Sequence, residues 1–381
     1  MTAAPASPST DALRARIRGC LLGGAIGDAL GNPVEFLSLD AIRRVHGAEG
    51  VTGLVPDSDG VVGRVTDDTQ MTLFTAEGLL RAQAATGDGE LGDDAVAAVH
   101  RAYLRWLDTQ NHPAPPPAVS ADDPVRSGWL RTQPWLYAQR APGNACLSGL
   151  GQGRVPDPRA PLDERPGPVN PGSKGCGTVM RSAPFGLIGL GAGRAFELAA
   201  RCARLTHGHP TGAYAAGAFA VIVHRLLDGV PVEVAVQCAL ELLARYPGHE
   251  ETSAALRAAL ALAADGAPTP EKVESLGGGW VAEEALAIAV YAACAATGAG
   301  SLAGGLLLSV NHSGDSDSTG SLCGNLLGAR HGDAALPPSW LARIEGRAVT
   351  AELADDLSYA FHGPRPPHGE PVFPYGRYPR H

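Results

Sequence analysis

Apolar residues recur at helical spacing along most of the chain, and almost nowhere in the strict alternation of a half-buried strand. Residues 12–31, ALRARIRGCLLGGAIGDALG, interleave apolar and basic positions and predict a helix capped by Asp11 and ending at Gly31, where Asn32-Pro33 stops it. Gly23, Gly24 and Gly27 are costly in a helix unless a second backbone comes close, which predicts a central, tightly packed element. A loop is expected from there to about residue 65. Helical spacing returns over 67–85 and 92–108, then over 195–205, 211–228, 232–246, 253–264, 283–297, 302–310 and 321–331. The stretches 111–125 and 151–175 are rich in proline or glycine and predict long connectors, candidates for the walls of a site. The sequence has no βαβ alternation and no fixed-period repeat. The pattern predicts an all-α fold with one compact helical domain over 11–362. A frayed leader at 1–10 and a proline-rich tail at 363–381, draped over the surface or disordered, would flank it.

Composition agrees with a packed globule: 45% of the 381 residues are hydrophobic and 18% charged, and the 5% share of aromatics favours helices packed through small residues over a β-sandwich. A formal charge of -9 gives no electrostatic footprint for nucleic acid, although an anionic ligand can still bind through a metal or backbone amides. No run approaches about 18 uninterrupted apolar residues, and the N-terminus lacks the basic-then-apolar order of a signal peptide. A cytoplasmic protein without a membrane partner is expected. The seven cysteines are scattered and form no CxxC pair, so they predict core residues in place of a zinc ribbon or disulfide framework.

Two acidic clusters change this picture. In VTDDTQMTLF (65–74), Thr66 suits an N-cap, and Asp67 and Asp68 would sit in a first helical turn, where the helix dipole favours negative charge. Near the other end, NHSGDSDSTGSLCGNLLGA (311–329) crowds Asp315, Asp317 and Ser318 at another helix start. Its opening resembles an EF-hand loop, with Thr319 and Gly320 at the fifth and sixth positions, but the twelfth is Leu326 where a bidentate glutamate is required. What remains are two hydroxyl-and-aspartate clusters free to converge in a bundle. Four carboxylates brought together need divalent cations, and all-oxygen ligation selects Mg²⁺ or Mn²⁺ over zinc. The residues predict a two-metal site.

These two segments, with GCLLGGAIGDALGNPVEF (19–36), SKGCGTVMRSAPFGL (173–187) and LTHGHP (205–210), resemble the ADP-ribosylglycohydrolase family in its own order along nearly the whole chain. The resemblance implies an orthogonal multi-helix bundle. It implies two Mg²⁺ or Mn²⁺ ions bound by Thr66, Asp67, Asp68, Asp315, Asp317 and Ser318, the last a threonine in many relatives. Catalysis would involve Glu35, with Glu35 or a cluster aspartate, Asp67 or Asp317, accepting the proton. The loop of Ser173, Lys174, Gly175, Cys176, Gly177, Thr178, Met180 and Arg181 would approach ADP-ribose. Glycines let a backbone come near a ligand, and no Gly-Lys-Ser/Thr ends the loop as a Walker A motif would. His207 matches a histidine near the substrate, and Trp129, Trp135 or Tyr137 would stack on adenine or belong to the core. The implied reaction is hydrolysis of the bond between C1 of the distal ribose and an acceptor side chain, on an ADP-ribosylated protein or a small ADP-ribose compound. Arginine is favoured as acceptor. Serine or threonine linkages, free derivatives, a non-catalytic ADP-ribose-binding module and a pyrophosphate-cleaving phosphoesterase remain open, as does the oligomeric state.

Overall fold

The computed structural model describes residues 9–86, 91–92, 94–120, 123–298, 301–364, 373 and 377–380. Among them the chain forms sixteen α-helices and, in place of strands, two isolated bridges, Pro56 with Val62 and Gly175 with Val281. In chain order the helices are α1 (Thr10–Gly31), α2 (Leu39–His46), α3 (Asp67–Thr86), α4 (Asp94–Gln110), α5 (Asn144–Gly151), α6 (Ala183–Leu187), α7 (Ala192–Ala203) and α8 (Pro210–Leu227). The second half supplies α9 (Val232–Leu243), α10 (Glu250–Ala263), α11 (Pro270–Glu274), α12 (Ala282–Gly298), α13 (Leu302–Val310), α14 (Ser316–His331), α15 (Pro338–Leu341) and α16 (Arg347–His362). The all-α expectation holds, and the bundle is compact.

Local differences from expectation have local causes. Ser9, not Asp11, caps α1, its hydroxyl accepting from the Ala12 amide at 3.3 Å. The expected loop after residue 32 contains α2, whose start is capped by Ser38 accepting from Ala41 at 3.2 Å. α14 begins at Ser316 instead of 321, because Asp315 caps it. Residues 1–8 of the expected leader and most of the proline-rich tail lie outside the described residues. Where the tail is described it docks: Phe373 and Tyr378 are buried, and the Arg377 guanidinium lies 4.1 Å over the Trp129 ring.

α8 and α12 run through the interior. Ala213 to Val223 on α8 and Ala285 to Ala293 on α12 are almost without exposure, so small residues let both helices be surrounded on all sides. The glycines of α1 act more strongly. Gly19, Gly23, Gly27 and Gly31 stand one turn apart and face Gly328, Gly324, Gly320 and Ser316 of α14, backbone against backbone. A Cβ on any member of the three glycine–glycine pairs would fall far inside the van der Waals radius of the opposing carbonyl. Asn325 locks the contact by donating to the Cys20 carbonyl at 2.8 Å. This packing joins the two ends of the chain and brings Asp28 on α1 next to the start of α14.

Candidate active site

Asp28 is fully buried, and its carboxylate accepts from the Thr66 amide at 3.0 Å, from the Thr69 amide at 3.1 Å and from the Thr69 hydroxyl. It ties the start of α3 to α1. At α14, Asp315 accepts from the Ser318 amide at 3.3 Å and Asp317 from the same amide at 2.9 Å. The Asp315 amide donates to the Gly278 carbonyl at 2.9 Å, which fixes the 277–281 turn beside it.

Both helix starts open on one cavity of about 510 Å³. Glu35, Asp67, Asp68, Asp315, Asp317 and Ser318 line one side; Ser173, Gly175, Cys176, Gly177, Met180 and His207 line the other. One oxygen each from Glu35, Asp315 and Asp317 lie within 4.8 Å of one another. Among the described residues no lysine or arginine pairs with any of these carboxylates. The Asp68 Oδ1 atom is buried without a hydrogen-bond partner. Burial, then the charge of Asp317, holds Asp67, Asp68 and Asp315 well above the usual carboxylate range. The same causes push Glu35 up to about 10 and Asp28 to about 7. Protein alone does not neutralise this cluster, and an orphaned oxygen among crowded carboxylates fits a divalent cation bound through oxygen.

The sign of the pH effect follows. In cation-free protein at pH 7–8.5 the folded chain holds carboxyl protons that the unfolded chain has released, so stability falls as pH rises. Buried neutral histidines act in the opposite sense only below about 6.5. The melting temperature of EDTA-treated protein is expected to drop between pH 7 and 8.5, more steeply than with Mn²⁺ added. A chelated melting temperature that rises over this range counts against the crowded-carboxylate picture.

Four expected site residues do not line the cavity. Thr66 lies beneath it, its hydroxyl 3.4 Å from the Asp68 amide. The Lys174 ammonium is held by Glu283 and, at 2.9 Å, by Glu251. The Thr178 hydroxyl donates to the Gly175 carbonyl at 3.0 Å. Arg181 is fully buried, donating to the Thr206 hydroxyl at 2.6 Å with its guanidinium 4.4 Å over Tyr103. His207 does face the cavity, and burial, then Arg181, pulls it down to about 3, so it is a neutral imidazole whose Nδ1 meets the Thr206 hydroxyl at 2.7 Å. Several amides of the glycine-rich loop are engaged, among them Cys176 with the Trp280 carbonyl at 3.1 Å and Thr178 with the Gly175 carbonyl at 3.2 Å.

The expected aromatics stand elsewhere. Trp129 lies under Arg377, Trp135 packs on Gly346, and Tyr137 is buried with its hydroxyl accepting from Arg131. The cavity's aromatics are Phe36 and Trp280, stacked at 5.2 Å between ring centroids and 68% and 43% exposed. Sequence reasoning missed both, and missed Asp28. An aspartate among small apolar residues of a predicted central helix was the available signal for Asp28; nothing in the chain links Trp280 to the site.

A helical scaffold that turns two acidic helix starts into one cleft defines an all-α carboxylate-walled enzyme. The ADP-ribosylglycohydrolase family model matches residues 9–367, and the chain belongs to that family. It is a glycohydrolase acting on ADP-ribose linkages. The chain is 26% identical over 340 residues to the ADP-ribosyl-(dinitrogen reductase) glycohydrolase of Rhodospirillum rubrum, covering 87% of this chain and 90% of that protein. It is 24% identical to the ADP-ribosylarginine hydrolase Tri1 of Pseudomonas putida, covering 90% and 77%. A solved structure described as an ADP-ribosylglycohydrolase-related protein complex superposes with a TM-score of 0.62 at 25% identity, covering 93% of this chain and 99% of that one.

Proposed function

We propose that this enzyme hydrolyses the N-glycosidic bond between C1 of the distal ribose of ADP-ribose and an arginine side chain, reversing ADP-ribosylation of a protein. The observation that carries the reading is the gathering of Glu35, Asp315 and Asp317 within 4.8 Å of one another in a cleft that Asp68, with its orphaned oxygen, also lines. The arginine preference is supported by the name of the Pseudomonas relative. Asp67, Asp68, Asp315 and Asp317, with the hydroxyls of Thr66 and Ser318, would hold two Mg²⁺ or Mn²⁺. When bound, the cations would supply the charge that keeps the aspartates ionised, polarise ribose hydroxyls and lower the pKa of water.

The chain's own groups divide the remaining work. Glycosidic cleavage passes through an oxocarbenium-like state that needs a water activated on one face of the sugar. Glu35, at the edge of the carboxylate cluster and ionised when cation charge offsets its acidic neighbours, takes the proton from that water and hands it on to the departing acceptor nitrogen. His207, neutral and fixed by Thr206, offers Nε2 to the substrate without adding charge. Gly175 and Gly177 leave room for the substrate beside it, since a Cβ at either would crowd the His207 ring. In this reading 11–362 is the catalytic domain of a cytoplasmic enzyme, and no helix of the described residues is long and apolar enough to cross a membrane.

The test is ADP-ribose release from arginine-, serine- and threonine-linked peptides, with and without EDTA. Arginine-linked release is expected, falling at least about 100-fold on chelation and returning with Mg²⁺ or Mn²⁺. Turnover indifferent to chelation removes the metal role. Release of AMP, or tight binding of ADP-ribose without turnover, removes the reaction.

A further inference from the structure

A second cavity, of about 370 Å³, adjoins the first. The two share Glu35, Phe36, Gln139 and Ala141 as lining residues, so these form a partition with Glu35 on both sides. Phe36 and Ala141 have φ of 66° and 52°, and the described residues hold only one other non-glycine residue with positive φ, Asn170. Left-handed backbone at a side-chain-bearing residue is costly and persists where surrounding structure enforces it. The partition is therefore a built feature, held in part by the Phe36 amide donating to the Gly314 carbonyl at 3.3 Å.

The far wall of the second cavity carries Asp57, Asp59, Arg64 and Arg140. Arg64 pairs with both Asp57 at 3.1 Å and Asp59 at 2.5 Å. Arg140 is already neutralised by Glu345, which it meets at 2.9 Å through a second nitrogen. One guanidinium thus serves two aspartates, and the wall keeps an excess of negative charge. The Asp59 side chain is 67% exposed, so part of its solvation is retained and a second cation can reach it.

The geometry points to this second cavity as the acceptor subsite: it receives the cationic side chain from which ADP-ribose is removed, and Asp59 determines the preference for a guanidinium. The inference rests on the glycohydrolase reading of the first cavity and names where its leaving group sits. A substrate cut beside Glu35 must extend to both sides of Glu35. The first cavity is the larger, about 510 Å³ against about 370 Å³, and Gly175 and Gly177 leave room in it beside His207, so the bulkier ADP moiety belongs there and the acceptor in the second.

The experiment uses the full chain with Ser58→Trp, which fills the second cavity, and Asp59→Asn, which removes the exposed charge. Both side chains are outside the carboxylate cluster. Expected is a fall in kcat/KM on an arginine-linked peptide of at least tenfold for S58W and about three- to tenfold for D59N, mainly through KM. Free ADP-ribose should bind each variant within twofold of wild type by calorimetry, and D59N should not weaken turnover of a serine-linked peptide. Unchanged kcat/KM in both variants, or equal losses for ADP-ribose binding, overturns the assignment. Agmatine, a free guanidinium, provides a readout independent of turnover. Saturable agmatine binding to ADP-ribose-loaded wild type that S58W abolishes supports the subsite even where the hydrolysis itself fails; no agmatine binding overturns it.

Discussion

Asp317→Asn is expected to lower ADP-ribose release by about three orders of magnitude, a loss of roughly 4 kcal/mol of transition-state stabilisation. Asp317 is the neighbour whose charge most raises Asp67, Asp68 and Asp315 after burial, which places it at the electrostatic centre of the cluster. The substitution keeps the volume and removes one negative charge. Two consequences should appear together. Calorimetry should show Mn²⁺ affinity greatly weakened, and the chelated variant should melt above the chelated parent, because the repulsion it relieves is strongest when no cation is present. A merely structural aspartate would give the reverse, a variant less stable in EDTA. Activity within tenfold of wild type would exclude Asp317 from the chemistry.

The acidic clusters were legible because their chemistry is local: TDDT and GDSDS each put carboxylates at a helix start, where capping and dipole reasoning apply. The close approach on α1 was legible too, since Gly23, Gly24 and Gly27 have no other justification inside a helix. α2 was passed over because eight residues burying only Leu39 and Ile42 give too short a period to detect. α16 differs: Leu353, Ala354 and Leu357, with Thr350 one turn before, form a buried stripe at helical spacing that the predicted elements omit. The second side of the cleft is non-local. Trp280 reaches Cys176 through its carbonyl and Phe36 through its ring, contacts across more than 100 and 240 positions of chain that no pattern encodes. Lys174 and Arg181 belong to the loop that the family resemblance brings to ADP-ribose, yet each is committed to protein partners, Glu251 and Glu283 for one, Thr206 and Tyr103 for the other.

Gly27→Val is expected to abolish the native fold or to cost more than about 4 kcal/mol, well above an ordinary core substitution. The new Cβ would strike the carbonyl of Gly320 and the amide of Ser321, which are backbone atoms of α14 and cannot rotate aside. Relief requires separating α1 from α14, and that separation would strip the Asn325 to Cys20 hydrogen bond as well as the apolar contacts flanking it. Gly193→Ala on α7 is the control. It faces open space, so it should be neutral or stabilising by a few tenths of a kcal/mol up to about 1. Circular dichroism melts of the two variants decide the matter, and a Gly27→Val protein melting near wild type would refute backbone contact at this crossing. The consequence extends to catalysis, because Gly27 precedes Asp28, the anchor of the first acidic cluster, and Gly320 lies three residues beyond Asp317 in the second. One glycine-to-carbonyl contact thus sets the distance between the two halves of the site, and any variant that loosens it without unfolding should lose divalent-cation affinity before it loses helix content.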